Sequence, residues 1–471
     1  MRGITNMNPF IALVKDKEFL RKTMAITIPV AVQNLLNTAL NMIDTVMISQ
    51  LGETAIAAVG LANKFFFVFS LLMFGICSGS SILASQYWGK REPLNIKRVL
   101  YIALIIGVGG AMIFMLAALF APELVMRIFT PETDTIAYGV KYLVIIAFSY
   151  PLTAITMVFV SILRSMNYVK LPIIITSISI LVNGTLNYGL IFGKLGMPEL
   201  GITGAALATL IARIVECVSL LTLVYIHKAG DGALGDFIHS KVEQSPIKER
   251  FLNKGIIYKY ATTAAPVMVN EFMWGLGVTM YSLVYGRMGN AAVAAITIES
   301  TIEQGLTVFF FGVSAAAAVI LGNELGSGQL KKAEEDSEKF IMLQLSMTII
   351  AGILAMIIKE PIIAWFGQSE QVGSYVSKIL TIFVILLPVK MINNILITAV
   401  FRSGADTKAS LFIDVSGVWF IGIPMAILGG LVLKQPVYVV FAMVGIEEVY
   451  KLILSIFRYR KKKWVRNIVA N

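Results

Sequence analysis

The chain has 471 residues, of which 57% are hydrophobic and 14% charged, with a formal net charge of +11 and a mean hydropathy of +0.80. That leaves too little polar surface to cover a water-soluble globule of this size, so a bilayer is the expected solvent. The charge pattern excludes nucleic-acid binding, because the Lys and Arg residues gather between apolar stretches rather than on one basic face.

Twelve apolar stretches follow one another, near 23–48, 56–86, 98–120, 138–162, 171–193, 204–226, 259–286, 291–323, 339–358, 372–400, 409–433 and 437–457. Each is long enough to cross roughly 30 Å of hydrocarbon as a helix, whereas barrel strands would be about half as long and alternating. The expected fold class is an all-α integral membrane protein with twelve transmembrane helices. Lys15, Asp16, Lys17, Glu18, Arg21 and Lys22 interrupt the N-terminus and the first span follows at once, so no cleavable signal peptide is expected.

Span 1 carries Asp44 among Met42, Ile43, Val46 and Met47, with no Lys or Arg on a neighbouring turn. Such a carboxylate either reaches external water at the helix end or forms an ion site that trades a proton or binds Na+. On span 5, Asn183 and Asn187 are spaced i, i+4 and project from one face. Their amide oxygens either complete a hard-cation site around Asp44 or hold helices together by hydrogen bonds. Because amides do not titrate, the pair favours Na+ over H+, although a proton needs only Asp44. Arg213 and Glu216 on span 6 have the spacing of an intrahelical ion pair.

Cys77 and Cys217 lie inside spans without metal-type spacing and read as small core residues. His227 and His239 fall in or beside the polar loop after span 6, where neither serves a buried proton relay. Glu271 on span 7 and Glu303 on span 8 are intramembrane acids, and Lys390 on span 10 is a base able to neutralise either. The runs Phe65–Phe67 and Phe309–Phe311 either line a cavity for flat organic molecules or, since a consecutive run points all round its helix, face lipid and neighbouring helices.

Placing both termini in the cytoplasm puts nearly all Lys and Arg on that side, including Arg458, Arg460, Lys461, Lys462, Lys463 and Arg466. The opposite side keeps Arg127, Lys194, Arg287, Lys359 and Lys434. The basic excess then follows from topology together with attraction to anionic lipid.

Sliding the second half against the first at an offset of 237 aligns Pro29-Val30 with Pro266-Val267, Gly52 with Gly289, Ala57-Ala58 with Ala294-Ala295, Gly75 with Gly312 and Gly89 with Gly326. Pro151 falls on Pro388 at the same offset, and one added residue brings Arg164-Ser165 and Lys170 onto Arg402-Ser403 and Lys408. A duplicated six-helix unit in parallel repeat is expected, with lobes over 1–226 and 259–471 joined by a cytoplasmic linker over 227–258. The repeat places Glu271 on Asn34.

The segments NMIDTVMISQLGETAIAAVGLANKF, ASQYWGKRE, SILRSMNYVK, LVNGTLNYGLIFG with PELGITGAALAT, and VFRSGADTK together resemble the multidrug and toxic compound extrusion (MATE) transporters over nearly the whole chain. The resemblance implies two bundles of six helices, export of organic molecules, and Na+ or H+ entry as the energy source. It also implies that Asp44 is the cation-coupling acid of the N-terminal lobe and that Glu271 matches a C-lobe acid. Asn187 stands where some branches carry a second aspartate, as in the NorM-type arrangement of one acid with two amides. Asn393 and Asn394 stand where that branch has an acid on span 10. Glu271, Glu303, Asn393, Asn394, Asn34 and Lys390 are thus the candidates for a substrate site or second cation site.

The alternative is a lipid-linked saccharide flippase of the same broad architecture, which would need several bases for pyrophosphate where only Lys390 and Arg213 are available. No GxSxG, HExxH or nucleotide-loop pattern supports an enzyme or ATP-driven transport. The expected partners are small organic substrates and the bilayer, for a monomer in the cell inner membrane. No cofactor is expected beyond the coupling ion.

Overall fold

The computed structural model describes residues 16–226, 254–366 and 369–470, together with Leu13. The linker before 254, with His227 and His239, lies outside the described residues. Every one of the twelve apolar stretches is a helix or a pair of helices, and there is no strand among the described residues. In chain order the spans are Lys17–Ser49, Glu53–Gly89, Pro93–Phe120, the pair Thr133–Ile146 and Ser149–Ser165, Lys170–Phe192 and Ile202–Ile226. The second half follows with Lys254–Arg287, Asn290–Gly326, Leu330–Trp365, Glu370–Ser403, Thr407–Val432, and the pair Val437–Val444 and Ile446–Arg460. Among the described residues, nine helices are long and apolar enough to cross a membrane alone, and the bent fourth span makes a tenth. Span 7 is too polar for that measure, and span 12 is broken at Gly445.

Prolines stand at two of the irregularities. The fourth span bends by 51° between its two pieces, and Pro151 lacks the N–H that would have bonded the carbonyl of Ala147 at the break. Span 11 runs through π-helical turns at Gly417–Gly422 and Leu428–Val432, on either side of Pro424.

The repeat is written in the backbone. Span 2 and span 8 start from Gly52 (φ 103°, ψ 170°) and Gly289 (φ 105°, ψ 170°), a conformation open essentially to glycine alone. Left-handed Arg91 (φ 61°) and Gly328 (φ 79°) follow those helices, and Asn167 (φ 68°) and Ala405 (φ 54°) sit in equivalent turns. A Cβ at Gly52 or Gly289 meets nothing within 4 Å, so the loss on substitution is conformational. Gly289→Ala should therefore lower stability by about 1–3 kcal/mol without a clash, read as a drop in thermal midpoint.

Packing divides the chain into two compact units, one of Val32–Met268 and the other of Met1–Ala31 with Val269–Asn471. The divisions fall inside spans 1 and 7, each just after its internal Pro29 or Pro266. In the first unit, a Cβ on Gly75 would stand 2.6 Å from Met268 Cα; in the second, one on Gly312 would stand 2.9 Å from the Thr27 carbonyl oxygen. Missing side chains at equivalent places of spans 2 and 8 thus let helix backbones approach closely.

In the second unit the start of span 1 is pinned to span 9 by Lys339 on Asp16 at 2.8 Å and by the rings of Phe19 and Phe340 at 4.8 Å. Burial pushes the Asp16 carboxyl up, but Lys339 and the Phe19 N–H together hold it below its ordinary value. A depressed carboxyl stabilises above its unfolded pKa, and that contribution is lost as pH falls through the folded one. Part of the basic tail is engaged with protein, while Arg460, Lys461 and Lys463 are exposed. Arg458 grips Asp406 through Nε and Nη2, both at 2.6 Å, Lys462 reaches Glu334 at 2.5 Å, and Trp464 is buried against Tyr459.

Candidate functional site

Asp44, Asn183 and Asn187 come together within the first unit. Asn187 Nδ2 donates to Asp44 Oδ1 at 2.6 Å and to Asn183 Oδ1 at 3.0 Å, while Asn183 Nδ2 donates to Thr209 Oγ1 on span 6 at 3.3 Å. The i, i+4 spacing stacks the two amides on one face of span 5, which packs along span 6 and so brings Thr209 within reach. Both amides are buried, at 2% and 0% exposure, and Asp44 is half-buried.

The acceptors at this site are not used up. Asn187 Oδ1 is buried without a donor, and Asp44 Oδ2 takes no hydrogen bond from the described residues. A buried acceptor left unmatched costs about 1–3 kcal/mol, which a small cation would relieve. Arg213 acts on Asp44 through space but is committed to Glu216 at 2.7 Å, the pair expected from their spacing. The site therefore presents hard oxygen acceptors and no competing ammonium.

In the second unit Glu271 is bridged by Arg402 at 2.9 Å and not by Lys390. Lys390 is instead paired with Glu303 and lies 5.7 Å over the Phe383 ring. Arg402 and Lys390 are twelve residues apart, about 18 Å along a helix, so one base cannot serve both acids. Asn394 Oδ1 accepts from Ser314 Oγ at 2.6 Å, and Asn393 Nδ2 donates to the backbone oxygen and Oε2 of Glu448 at 2.7 and 2.8 Å. Asn34 belongs to the unit that holds Asp44. Of the five candidates in the second unit, Glu303 and Lys390 pair with each other, while Glu271, Asn393 and Asn394 each bond a residue outside the set.

Sequence reasoning missed a polar spine in each unit. In the first, Arg164 Nη2 donates to Gln33 Oε1 at 3.1 Å, Gln33 Nε2 to Thr176 Oγ1 at 3.2 Å, and Thr176 to Glu216 at 3.3 Å. In the second, Asn270 Nδ2 donates to Asp414 Oδ2 at 3.1 Å, and Lys451 bridges Asp414 at 2.6 Å and Glu447 at 2.5 Å. Tyr281 donates its hydroxyl to the other oxygen of Glu447. The offsets that align the halves place Asn270 on Gln33, Arg402 on Arg164 and Asp414 on Thr176, so the spines are duplicates whose charge has diverged. The i, i+4 spacing of Glu447 and Lys451 was the available signal.

The aromatic runs point as expected, with Phe65 and Phe66 on Tyr150, Phe67 and Phe309 exposed, and Phe310 buried. Cys77 and Cys217 are buried free thiols.

The MatE family profile matches residues 29–189 and 266–428. The uncharacterized transporter YisQ of Bacillus subtilis is 23% identical over 466 residues, covering 97% of both chains. The probable multidrug resistance protein NorM of Thermotoga maritima is 22% identical, covering 96% of this chain and 94% of its own. Among solved structures, the Vibrio cholerae MATE transporter VcmN in its bent form superposes with a TM-score of 0.82 at 17% identity, over 98% of this chain and 100% of that one. A MOP-superfamily transporter from Pyrococcus furiosus gives 0.80 at 18% identity, over 98% and 99%.

Proposed function

We propose, from the premise that this chain belongs to the MatE family, that it exports amphipathic organic compounds, cations among them, in exchange for Na+ entering at Asp44, Asn183 and Asn187. The protein is then a secondary transporter and not an enzyme. The observation that carries the ion assignment is the set of unspent oxygens, Asn187 Oδ1 and Asp44 Oδ2, in a pocket whose amides cannot titrate. Na+ requires several hard oxygens, whereas H+ needs only the carboxylate and competes for it. Relatives named as multidrug resistance proteins support the cargo class. The same reading has the protein act as a monomer in the inner membrane with both termini cytoplasmic, supported by its run of apolar helices and by its bacterial relatives.

A flippase is not supported. Arg213 and Lys390, the intramembrane bases that would hold pyrophosphate, are engaged with Glu216 and Glu303.

Efflux of a cationic dye from cells with Na+ and pH gradients imposed separately tests the assignment: the Na+ gradient should drive export, and a response to pH alone would defeat it. Asn187→Asp adds a second carboxylate beside Asp44 and should shift dependence towards pH, because neighbouring carboxylates hold a shared proton. Glu271→Gln should weaken cationic and neutral substrates alike, because Arg402 already neutralises Glu271. A selective loss of cationic substrates would show instead that Glu271 meets the cargo.

A further inference from the structure

The second unit holds an acid pair placed like a cation site, with Glu447 on span 12 buried and Asp414 on span 11 only 14% exposed, both facing one point. That point is filled by the protein itself. The Lys451 ammonium lies 2.6 Å from Asp414 Oδ1 and 2.5 Å from Glu447 Oε1, and its side chain is 5% exposed. The remaining oxygens are also engaged, Asp414 Oδ2 by Asn270 Nδ2 and Glu447 Oε2 by the Tyr281 hydroxyl.

The space for this arrangement is provided by glycines of the π-helical turn in span 11. A Cβ on Gly417 would stand 2.6 Å from Lys451 Cε and 2.8 Å from its Cγ, and one on Gly422 would overlap the Tyr281 hydroxyl and Glu447 Oε2. The lysine stem therefore runs through a slot that any side chain at 417 would narrow. The contrast with the first unit is chemical. There, Thr176 occupies the place of Asp414, Asp44 occupies the place of Tyr281, and acceptors are left over.

We propose that Lys451 is a built-in counter-cation, its ammonium occupying between Asp414 and Glu447 the place a coupling ion would take, so that this site stays closed without an ion from solution. Ion-dependent rearrangement is then confined to the unit holding Asp44, and the two halves of the repeat act unequally. Lys451 is a positioning residue: it holds spans 7, 11 and 12 together through its acid partners whatever the ion gradient. The assignment of Na+ to Asp44 is the reading on which the functional consequence rests.

The test measures thermal midpoint against NaCl concentration, with choline chloride as the ionic-strength control, in the full-length protein. Asp44→Asn should abolish the Na+ response. In that background Lys451→Gln should restore one, because two carboxylates lose their cation and accept Na+ in its place. A merely structural lysine would give destabilisation with no Na+-dependent recovery, and that result in a folded variant overturns the proposal. Should Lys451→Gln fail to fold, Asp414→Asn decides: the Na+ response is expected to be unchanged, and its loss overturns the proposal. If Asp44→Asn leaves the Na+ response intact while Asp414→Asn also leaves it intact, the Asp44 assignment fails and the Lys451 proposal stands.

Discussion

Asp44→Asn is expected to insert and fold normally while losing coupled efflux down to the background of cells lacking the protein. The substitution keeps an oxygen for the Asn187 amide at Oδ1, so the link between spans 1 and 5 persists, and no ion pair is broken because no base among the described residues is bonded to Asp44. What disappears is the single negative charge in a pocket of neutral oxygens. Three amide oxygens do not compensate the dehydration of a cation as a carboxylate does. Export at near-normal rates by this variant, at equal membrane abundance, would remove Asp44 from the coupling role.

Arg402→Met should have the largest effect on the fold. Arg402 is 4% exposed and bridges Glu271, and removing it leaves a carboxylate without its counter-charge in low dielectric. Breaking a fully buried pair from one side costs about 3–5 kcal/mol, and the 20% exposure of Glu271 puts this pair at or below the lower end, still enough to deplete folded protein in a marginally stable bundle. Glu271→Gln is milder, because the equivalent Arg164 already bonds a neutral amide, that of Gln33. Adding Glu271→Gln to Arg402→Met should recover most of the loss, since the stranded charge is gone. Equal thermal midpoints for the single and double variants would show that the arginine acts through contacts other than Glu271.

The legible part of this molecule was the part encoded locally. Twelve apolar stretches announce helices because crossing a bilayer demands an uninterrupted run of about 20 residues. Asp44 announced itself by lacking a basic neighbour, and Asn183 with Asn187 by one turn of spacing. Their junction was the natural guess, because both amides had to face one way. The second unit was read less well for the same reason. Whether Glu271 meets Lys390 or Arg402 depends on depth along span 10, which a residue list does not convey. Asp414 and Lys451 lie on different helices, and their slot depends on a π-helical turn at Gly417 that no periodicity reveals. The repeat held the missing information, since Arg164, Gln33 and Thr176 map onto Arg402, Asn270 and Asp414.

The central claim is that Na+ passes through the Asp44–Asn183–Asn187 site as cargo leaves. The most direct measurement is radiolabelled Na+ flux in proteoliposomes at constant pH, with an outward-directed organic cation on one side and its absence as control. Substrate-dependent Na+ movement in the wild-type protein, lost in Asn187→Ala and in Asp44→Asn, is the predicted result. Substrate export in Na+-free buffer, driven fully by a pH gradient and untouched by Asn183→Ala or Asn187→Ala, would contradict it.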